Sequence, residues 1–334
     1  MGLTYDNITA ITRKYWLKQF PDLVNNQSIL LKKLAAKGTK PESGASIIQP
    51  LMYANLNGGD YSPYATFDIS GKEIISAANF NWKYYQVSIV LSRDELLKNA
   101  GPEGVKKVMD AKMTMAKNTM VKNLSTDLFA LGSTGPTDSG SKLHCLDTML
   151  DDVAHSLASP TPYTYGGLIK TDYSWWAGKC RDGGGDGNGP VHYYLNLLYG
   201  DVVDGSTRPN LVIGHNNSLT SFISSQQAYQ RYMKQDNMDA GFMSAEFNGM
   251  PFVADLNVSD TGTTTEASNR VYMLNTDFID LITHRDENYR LEPFAKPVDQ
   301  AVIVGHIMWA GELTSSDPSR SGVFKNFDSL AIVE

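Results

Sequence analysis

The chain is 334 residues long, 42% hydrophobic, 19% charged and 10% aromatic, a globular composition with length for one large or two ordinary domains. Its net charge of −7 argues against a protein whose main task is to coat nucleic acid, and its two cysteines, Cys145 and Cys180, are too few for a disulfide framework and fit a reducing cytosol. No run of about 18 apolar residues is present to span a membrane, MGLTYDNITAITRKYW lacks the apolar core of a secretory signal, and Asp6 stands where a myristoylation pattern wants Ser or Thr.

The charge is uneven. Residues 1–40 hold Arg13, Lys14, Lys18, Lys32, Lys33, Lys37 and Lys40 against Asp6 and Asp22, a local +5 that leaves −12 on the remainder. A basic arm on an acidic body steers contacts between subunits, and a solvated helix face has the same composition. Two helical pieces are expected here. Ile11, Tyr15 and Phe20 fall near one face of the first; the second, SILLKKLAAKG, has Ser28 as N-cap and stops at Gly38.

Residues 44–83, GASIIQPLMYANLNGGDYSPYATFDISGKEIISAANFNWK, alternate like strands at both ends and are turn-rich in the middle, at Asn57-Gly58-Gly59-Asp60 and Ser62-Pro63. This is a long β-arm with too few apolar residues for a core of its own, and an isolated two-stranded hairpin is marginal in water. The arm therefore needs its own body or another subunit to lie on. Tyr85, Val87, Ile89 and Leu91 then alternate on one face of a strand. Ser92 caps RDELLKNAG, with Glu95 at the capping-box position.

After Pro102 the apolar positions Val105, Met109, Met113, Ala116, Met120, Leu124 and Leu128 recur at helical spacing up to Gly132, giving a helix of about 30 residues and about 45 Å. The Met-rich stripe reads as a core-facing seam, and the opposite face, Lys106, Lys107, Lys112, Lys117 and Lys122, as solvated. Beyond residue 150 shorter elements alternate: helices in HYYLNLLYGDVV and NSLTSFISSQQAYQRY, strands in PNLVI, PFVADLNV and NRVYMLN, and extended segments in YRLEPF and QAVIVGHIMWAGEL. The sum is an α+β protein with a long helix, a projecting arm and a C-terminal strand that returns to an earlier sheet.

Chemical motifs are sparse. Arg181–Pro190, RDGGGDGNGP, has no GxGxxG in register and no leading strand, and in GPTDSGSK (Gly135–Lys142) the lysine sits one place too late for a Walker loop. The six histidines are scattered, and His144-Cys145 finds no second pair to complete a zinc site. Asp182, Asp186 and Asn188 lack the glutamate of a calcium loop. Asp286 and Glu287 are adjacent in a turn, and His306, in VIVGHIMW, reads as a core or interface histidine. No catalytic residue, cofactor or metal site is expected.

The order of parts carries more. NITAITRKYWLKQFPDLVNNQSILLKKLAAKG, the arm 44–83, VSIVLSRDELLKNAG with the long helix, FALGSTGPTDSGSKLHCLD, YTYGGLIKTDYSWWAG, and AEFNGMPFVADLNV followed by RVYMLNTDFIDLITHRDENYRLEPF succeed one another over some 300 residues. This succession resembles the major capsid proteins of tailed bacteriophages, the Hong Kong 97-like fold. The resemblance implies an N-arm at 1–43, an E-loop at 44–83, a peripheral domain at 84–150 and 291–334 with a spine helix at about 102–131, and an axial domain at 151–290.

The function implied is a major capsid protein. The resemblance implies self-assembly into hexamers and pentamers of an icosahedral or prolate head shell, in the bacterial cytoplasm, with the virion as destination. It implies a shell that encloses double-stranded DNA held without sequence-specific binding. Separate scaffolding and portal proteins, and decoration proteins, are the further partners it implies, with no membrane. Relatives that carry an N-terminal scaffolding region lose it by proteolysis; here the arm begins almost at Met1, implying processing or a separate scaffold. Lys72 and Lys83 lie in or near the loop, without a motif that carries crosslinking over. Candidates for the assembly interface are Asn57, Gly58, Gly59, Asp60, Tyr61 and Tyr64 at the arm's tip, Trp82 and Lys83 at its root, and Arg13, Lys14 and Lys18 in the N-arm. The aromatics Phe80, Trp82, Tyr84 and Tyr85 are expected to brace that root, with Lys83 as an intersubunit or solvent contact. An encapsulin-type nanocompartment shell is the alternative; a nucleotide- or metal-dependent enzyme resting on the Gly-rich loop is the third reading.

Overall fold

The computed structural model describes residues 28–37, 40–60, 62, 64, 66, 70–98, 102–130, 141–150, 164–170, 172–182, 191–226, 244–258 and 270–325. The helix expected within residues 1–27, and with it Arg13, Lys14 and Lys18, lies outside them, as do Tyr61 and most of the Gly-rich stretch after Asp182.

Helix α1 (Ile29–Lys37) is not a free arm: Leu30, Leu31 and Leu34 are buried in the main core. Ser28, expected to cap it, donates its hydroxyl to Asp255 Oδ2 at 3.1 Å. At the other end Lys37 Nζ donates to the carbonyls of Thr276 (3.0 Å) and Ile279 (3.1 Å) and pairs with Asp280 at 2.8 Å. Strand β1 (Lys40–Glu42) leads to the hairpin of β2 (Ile47–Met52) and β3 (Ile75–Phe80), whose register runs from Ile47 opposite Phe80 to Met52 opposite Ile75. Strand β4 (Lys83–Ser92) ends in the expected capping box, where Ser92 N–H donates to Glu95 Oε2 (3.1 Å) and Glu95 N–H to Ser92 Oγ (3.2 Å), opening α2 (Arg93–Lys98).

Helix α3 (Pro102–Leu128) has 27 residues, so it is about 40 Å long. Met109, Met113, Ala116, Met120, Leu124 and Leu128 face the core as the spacing predicts. Its basic face is less uniform than the sequence suggests. Lys112 Nζ donates to the Val90 carbonyl (2.7 Å) and pairs with Glu95 (2.6 Å), and Lys117 is buried, its ammonium pushed down by desolvation. The remaining elements are α4 (Leu146–Leu150), β5 (Thr164–Tyr165), β6 (Leu168–Ile169), β7 (Lys179–Asp182), α5 (Val191–Val202), β8 (Leu211–Gly214), α6 (Asn216–Gln226), β9 (Ser244–Phe247), β10 (Met250–Ala254), β11 (Arg270–Leu274), β12 (Ile279–His284), β13 (Arg290–Leu291), β14 (Val302–Ser315) and β15 (Gly322–Lys325).

Two sheets organise these elements. In the five-stranded sheet β14 is central: β4 pairs antiparallel along one edge, β12 and β13 along the other, and β1 adds parallel to β12. The six-stranded sheet runs β7-β15-β11-β8-β10-β9, with β7/β15 and β8/β10 parallel. Helices α5 and α6 pack on it around Tyr194, Leu198, Phe222, Phe252 and Phe324. The strands do not sort by the boundary drawn at residue 290. β12, from the stretch read as axial, joins the sheet of β4 and β14, and β15, from the stretch read as peripheral, joins the other sheet. Hydrogen-bond partnership across a sheet edge leaves no periodicity in either strand's own sequence.

Candidate assembly interface

The β2–β3 hairpin has two unlike faces because strand side chains alternate. Ile47 and Leu51 of β2 and Ala78 and Phe80 of β3 point inward and are buried in the main core. Ile48, Pro50 and Met52 point outward, opposite Asn79, Ala77 and Ile75. Ile48 is 63% exposed, Met52 84% and Ile75 63%, so the outer face is an apolar strip open to solvent. Exposed apolar residues grouped on one face in this way are a candidate contact surface.

The root of the arm is fixed by aromatics. Trp82 Nε1–H donates to the Gly44 carbonyl at 2.8 Å, tying the outgoing leg to the incoming one, and its ring stands edge-on to His284 at 5.0 Å. Phe80 is fully buried, edge-on to Tyr165 at 5.0 Å. The short β5–β6 hairpin is its clamp. Gly166 and Gly167 both take positive φ there (+60° and +75°), and Gly166 O accepts the Asn79 N–H at 2.8 Å. From this clamp a ladder of rings runs outward, Tyr165 stacking on Trp176 (5.7 Å), Trp176 on Trp175 edge-on (5.9 Å), and Trp175 stacking on Tyr53 (5.1 Å, interplanar 13°) just beyond β2. Trp176 Nε1–H is satisfied by the Tyr165 carbonyl at 2.9 Å.

Tyr85, the last of the predicted bracing aromatics, donates its hydroxyl to Asp127 Oδ2 (2.6 Å) and accepts the Leu143 N–H (2.9 Å). Burial first, and then the Asp127 bond, push this phenol well above the usual tyrosine range.

The sequence-predicted residues divide. Trp82 is at the root as expected, while Tyr84 is exposed and braces nothing within the chain's interior. Lys83 is corrected: at 4% exposure it lies inside, opposite Gly311 of β14, and is not a solvent contact. At the tip Asn57, Gly58, Gly59 and Asp60 are exposed, with Asn57 Nδ2 donating to Ser70 Oγ at 3.0 Å, and Tyr64 is wholly exposed. Tyr165, Gly166, Trp175 and Tyr53 were not singled out from the sequence. The signal available was a double glycine flanked by aromatics in YTYGGLIKTDYSWWAG. Lys142 of the near-Walker stretch is an exposed partner of Asp127 at 3.6 Å. Among the described residues no group of three or more His, Cys, Asp or Glu is placed to hold a metal ion, and no helix is long and apolar enough to cross a membrane.

No protein-family model matches the chain, and no curated protein matches its sequence. Solved structures do. The capsid asymmetric unit of cyanophage A-1(L) superposes with a TM-score of 0.63 at 14% identity, covering 90% of this chain and 93% of that one. The capsid of the native GTA particle gives 0.59 at 11% identity, with 90% of each chain covered. The chain has the phage capsid-protein fold. That fold is wider than phages: the SrpI encapsulin of Synechococcus elongatus PCC 7942 matches at 0.57 with 7% identity, over 90% of this chain and 89% of that one. Along the chain the β2–β3 hairpin precedes β4 and the long α3, the order expected from the sequence, while the strands of the two sheets interleave after them.

Proposed function

We propose that the chain is a major capsid protein that self-assembles into hexamers and pentamers of a phage head shell, icosahedral or prolate, around double-stranded DNA. The observation that carries this reading is the hairpin: clamped on its own body by one face, it presents an apolar strip on the other. One subunit that lays this strip on its neighbour, and receives another in turn, is held at several places at once, and simultaneous modest contacts make a strong lattice. In these terms 1–43 is the N-arm, with α1 docked on the body; 44–83 is the E-loop; 84–150 and 291–334 form the peripheral domain around α3; and 151–290 forms the axial domain, with β12 and β15 exchanged between the two sheets. The tip residues Asn57, Gly58, Gly59, Asp60, Tyr61 and Tyr64 and the basic Arg13, Lys14 and Lys18 serve contacts between subunits. Lys33 and Lys37 are engaged by Asn210 and Asp280 on the body, and the remaining bases of residues 1–40 suit non-specific contact with packaged DNA. Scaffolding, portal and decoration proteins are its further partners, assembly takes place in the host cytoplasm, and the role is structural rather than catalytic.

Electron microscopy of the purified chain tests this directly: rings or shells are expected, and a monodisperse monomer at high concentration with the hairpin intact refutes it. Deleting residues 56–64 is expected to impair assembly while leaving the urea midpoint near that of the parent chain. The encapsulin neighbour supports a second reading, a shell around protein cargo. Native particles that hold DNA support the head shell; particles that hold a cargo enzyme support the compartment.

A further inference from the structure

We infer that the buried His144–Glu312 pair is a proton-sensitive latch on the root of the arm. The inference concerns the single chain and stands whether the shell encloses DNA or cargo. Residues 143–150, which include α4, are buried without exception. This segment is held between the sheets by charge. Glu312 of β14 accepts the His144 and Leu313 N–H groups on Oε1, both at 2.9 Å, and its Oε2 lies 3.0 Å from His144 Nδ1. Arg270 of β11 pairs with Asp147 at 2.8 Å, and Lys170, just after β6, caps the segment's far end by donating to the Met149 carbonyl at 2.8 Å.

The same imidazole touches the arm. It stands edge-on to Phe80 at 6.1 Å and to Tyr165 at 5.5 Å, the two rings that lock the hairpin to its clamp. Tyr165 in turn donates its hydroxyl to the Leu313 carbonyl, next to Glu312 (3.1 Å). His144 is therefore shared between a charge pair and the arm's root, and a change on one side is felt on the other.

The groups that face the segment are Glu312 from β14, Arg270 from β11, Lys170 from beyond β6, and Tyr85 from β4 with its partner Asp127 from α3; Cys145 and Asp147 lie within it. Burial pushes both the Cys145 thiol and the Tyr85 phenol up, so each keeps its proton through neutrality. Of the side-chain types in this set, imidazole is the one that ordinarily changes charge between about pH 5 and 8. A protonated His144 balances the fully buried Glu312 carboxylate. When the imidazole loses its proton, the carboxylate faces a neutral ring in a low-dielectric site, and the cheapest relief is to part the rings and admit water. The sign follows: docking of the arm's root is strongest on the acid side of the imidazole range and weakens as pH rises through it.

Hydrogen–deuterium exchange on the full-length chain, diluted below assembly, tests the latch at about pH 6 and about pH 8.5 with intrinsic chemical rates divided out. Peptides spanning 75–80 should lose about tenfold or more in protection at the higher pH, one linked proton allowing at most about tenfold per pH unit. Replacing the pair with amides (His144→Gln with Glu312→Gln) should flatten that dependence. If the double variant does not fold, Phe80→Leu decides: it keeps the pair but loses the ring contact, so peptides over 143–150 should keep their pH response while 75–80 no longer follow. Root protection that is flat with pH in the parent chain, or an undiminished response in the amide variant or in the 75–80 peptides of Phe80→Leu, overturns the inference.

Discussion

Gly166→Ala is the substitution that most sharply tests the clamp. At φ +60° an L side chain meets the left-handed penalty of about 1–2 kcal/mol. The added Cβ would also stand 2.8 Å from Phe80 Cζ and 2.9 Å from Ala78 Cβ, distances that force both buried groups to move. Overpacking of this kind costs about 1–3 kcal/mol, so the two costs together come to about 2–5 kcal/mol. At 1.4 kcal/mol per decade the lower end is already about a 30-fold shift toward the undocked root. The local readout is exchange of the Asn79 amide, whose N–H donates to Gly166 O; the global one is the urea midpoint followed by tryptophan fluorescence. Gly58→Ala is the control, because a Cβ there meets nothing within 4 Å, and its effect should stay within about 0.5 kcal/mol. A Gly166→Ala cost below about 1 kcal/mol, or one equal to that of Gly58→Ala, would mean that β5–β6 does not clamp the arm.

Ile48→Lys places a charge on the outer strip without touching the core, so stability should change by less than about 0.5 kcal/mol while the concentration needed for assembly, measured by light scattering, rises at least about tenfold. Arg270→Met removes one partner of a buried pair whose side chains are 4% and 1% exposed, and should cost about 3–5 kcal/mol by urea denaturation. Adding Asp147→Leu to it should recover a large part of that loss. Tyr85 keeps its proton in the folded chain beyond the ordinary tyrosine value of about 10, so its contribution is complete below that pH and is lost as pH rises above it. Tyr85→Phe should therefore make the alkaline fall of the urea midpoint shallower, with Tyr289, also pushed up by burial, supplying what remains.

The sequence was most legible where structure is local. Alternation marked Tyr85 to Leu91, the Ser92/Glu95 box marked the start of α2, and the methionine stripe marked the buried seam of α3; each is written within one or two turns of chain. What escaped depends on partners far away. Lys112 on a lysine-rich face finds the Val90 carbonyl and Glu95, and Lys83 is covered where β4 lies along β14, outcomes that no charge count reveals. Ser28 sits at the cap of α1 as the sequence suggests, its carbonyl accepting the Lys32 N–H at 3.0 Å, but its hydroxyl is also a tether because Asp255 lies within reach. The arm was read correctly as needing something to lie on. That its inner face rests on a glycine turn and a tryptophan pair more than eighty residues downstream depends on tertiary placement.

The placement of the last two strands bears on how the chain is made. β14 lies between β4 and β12, and β15 between β7 and β11, so both sheets have their C-terminal strand in an interior position. Strands already synthesised face an empty slot until those residues leave the ribosome, and at about 5–20 residues per second the earlier elements wait many seconds for them. Pairings of such long sequence separation also close slowly. Glu312, which the root of the arm reaches through His144, arrives with β14. The contacts that finish the root of the arm are therefore among the last to become available as the chain is made.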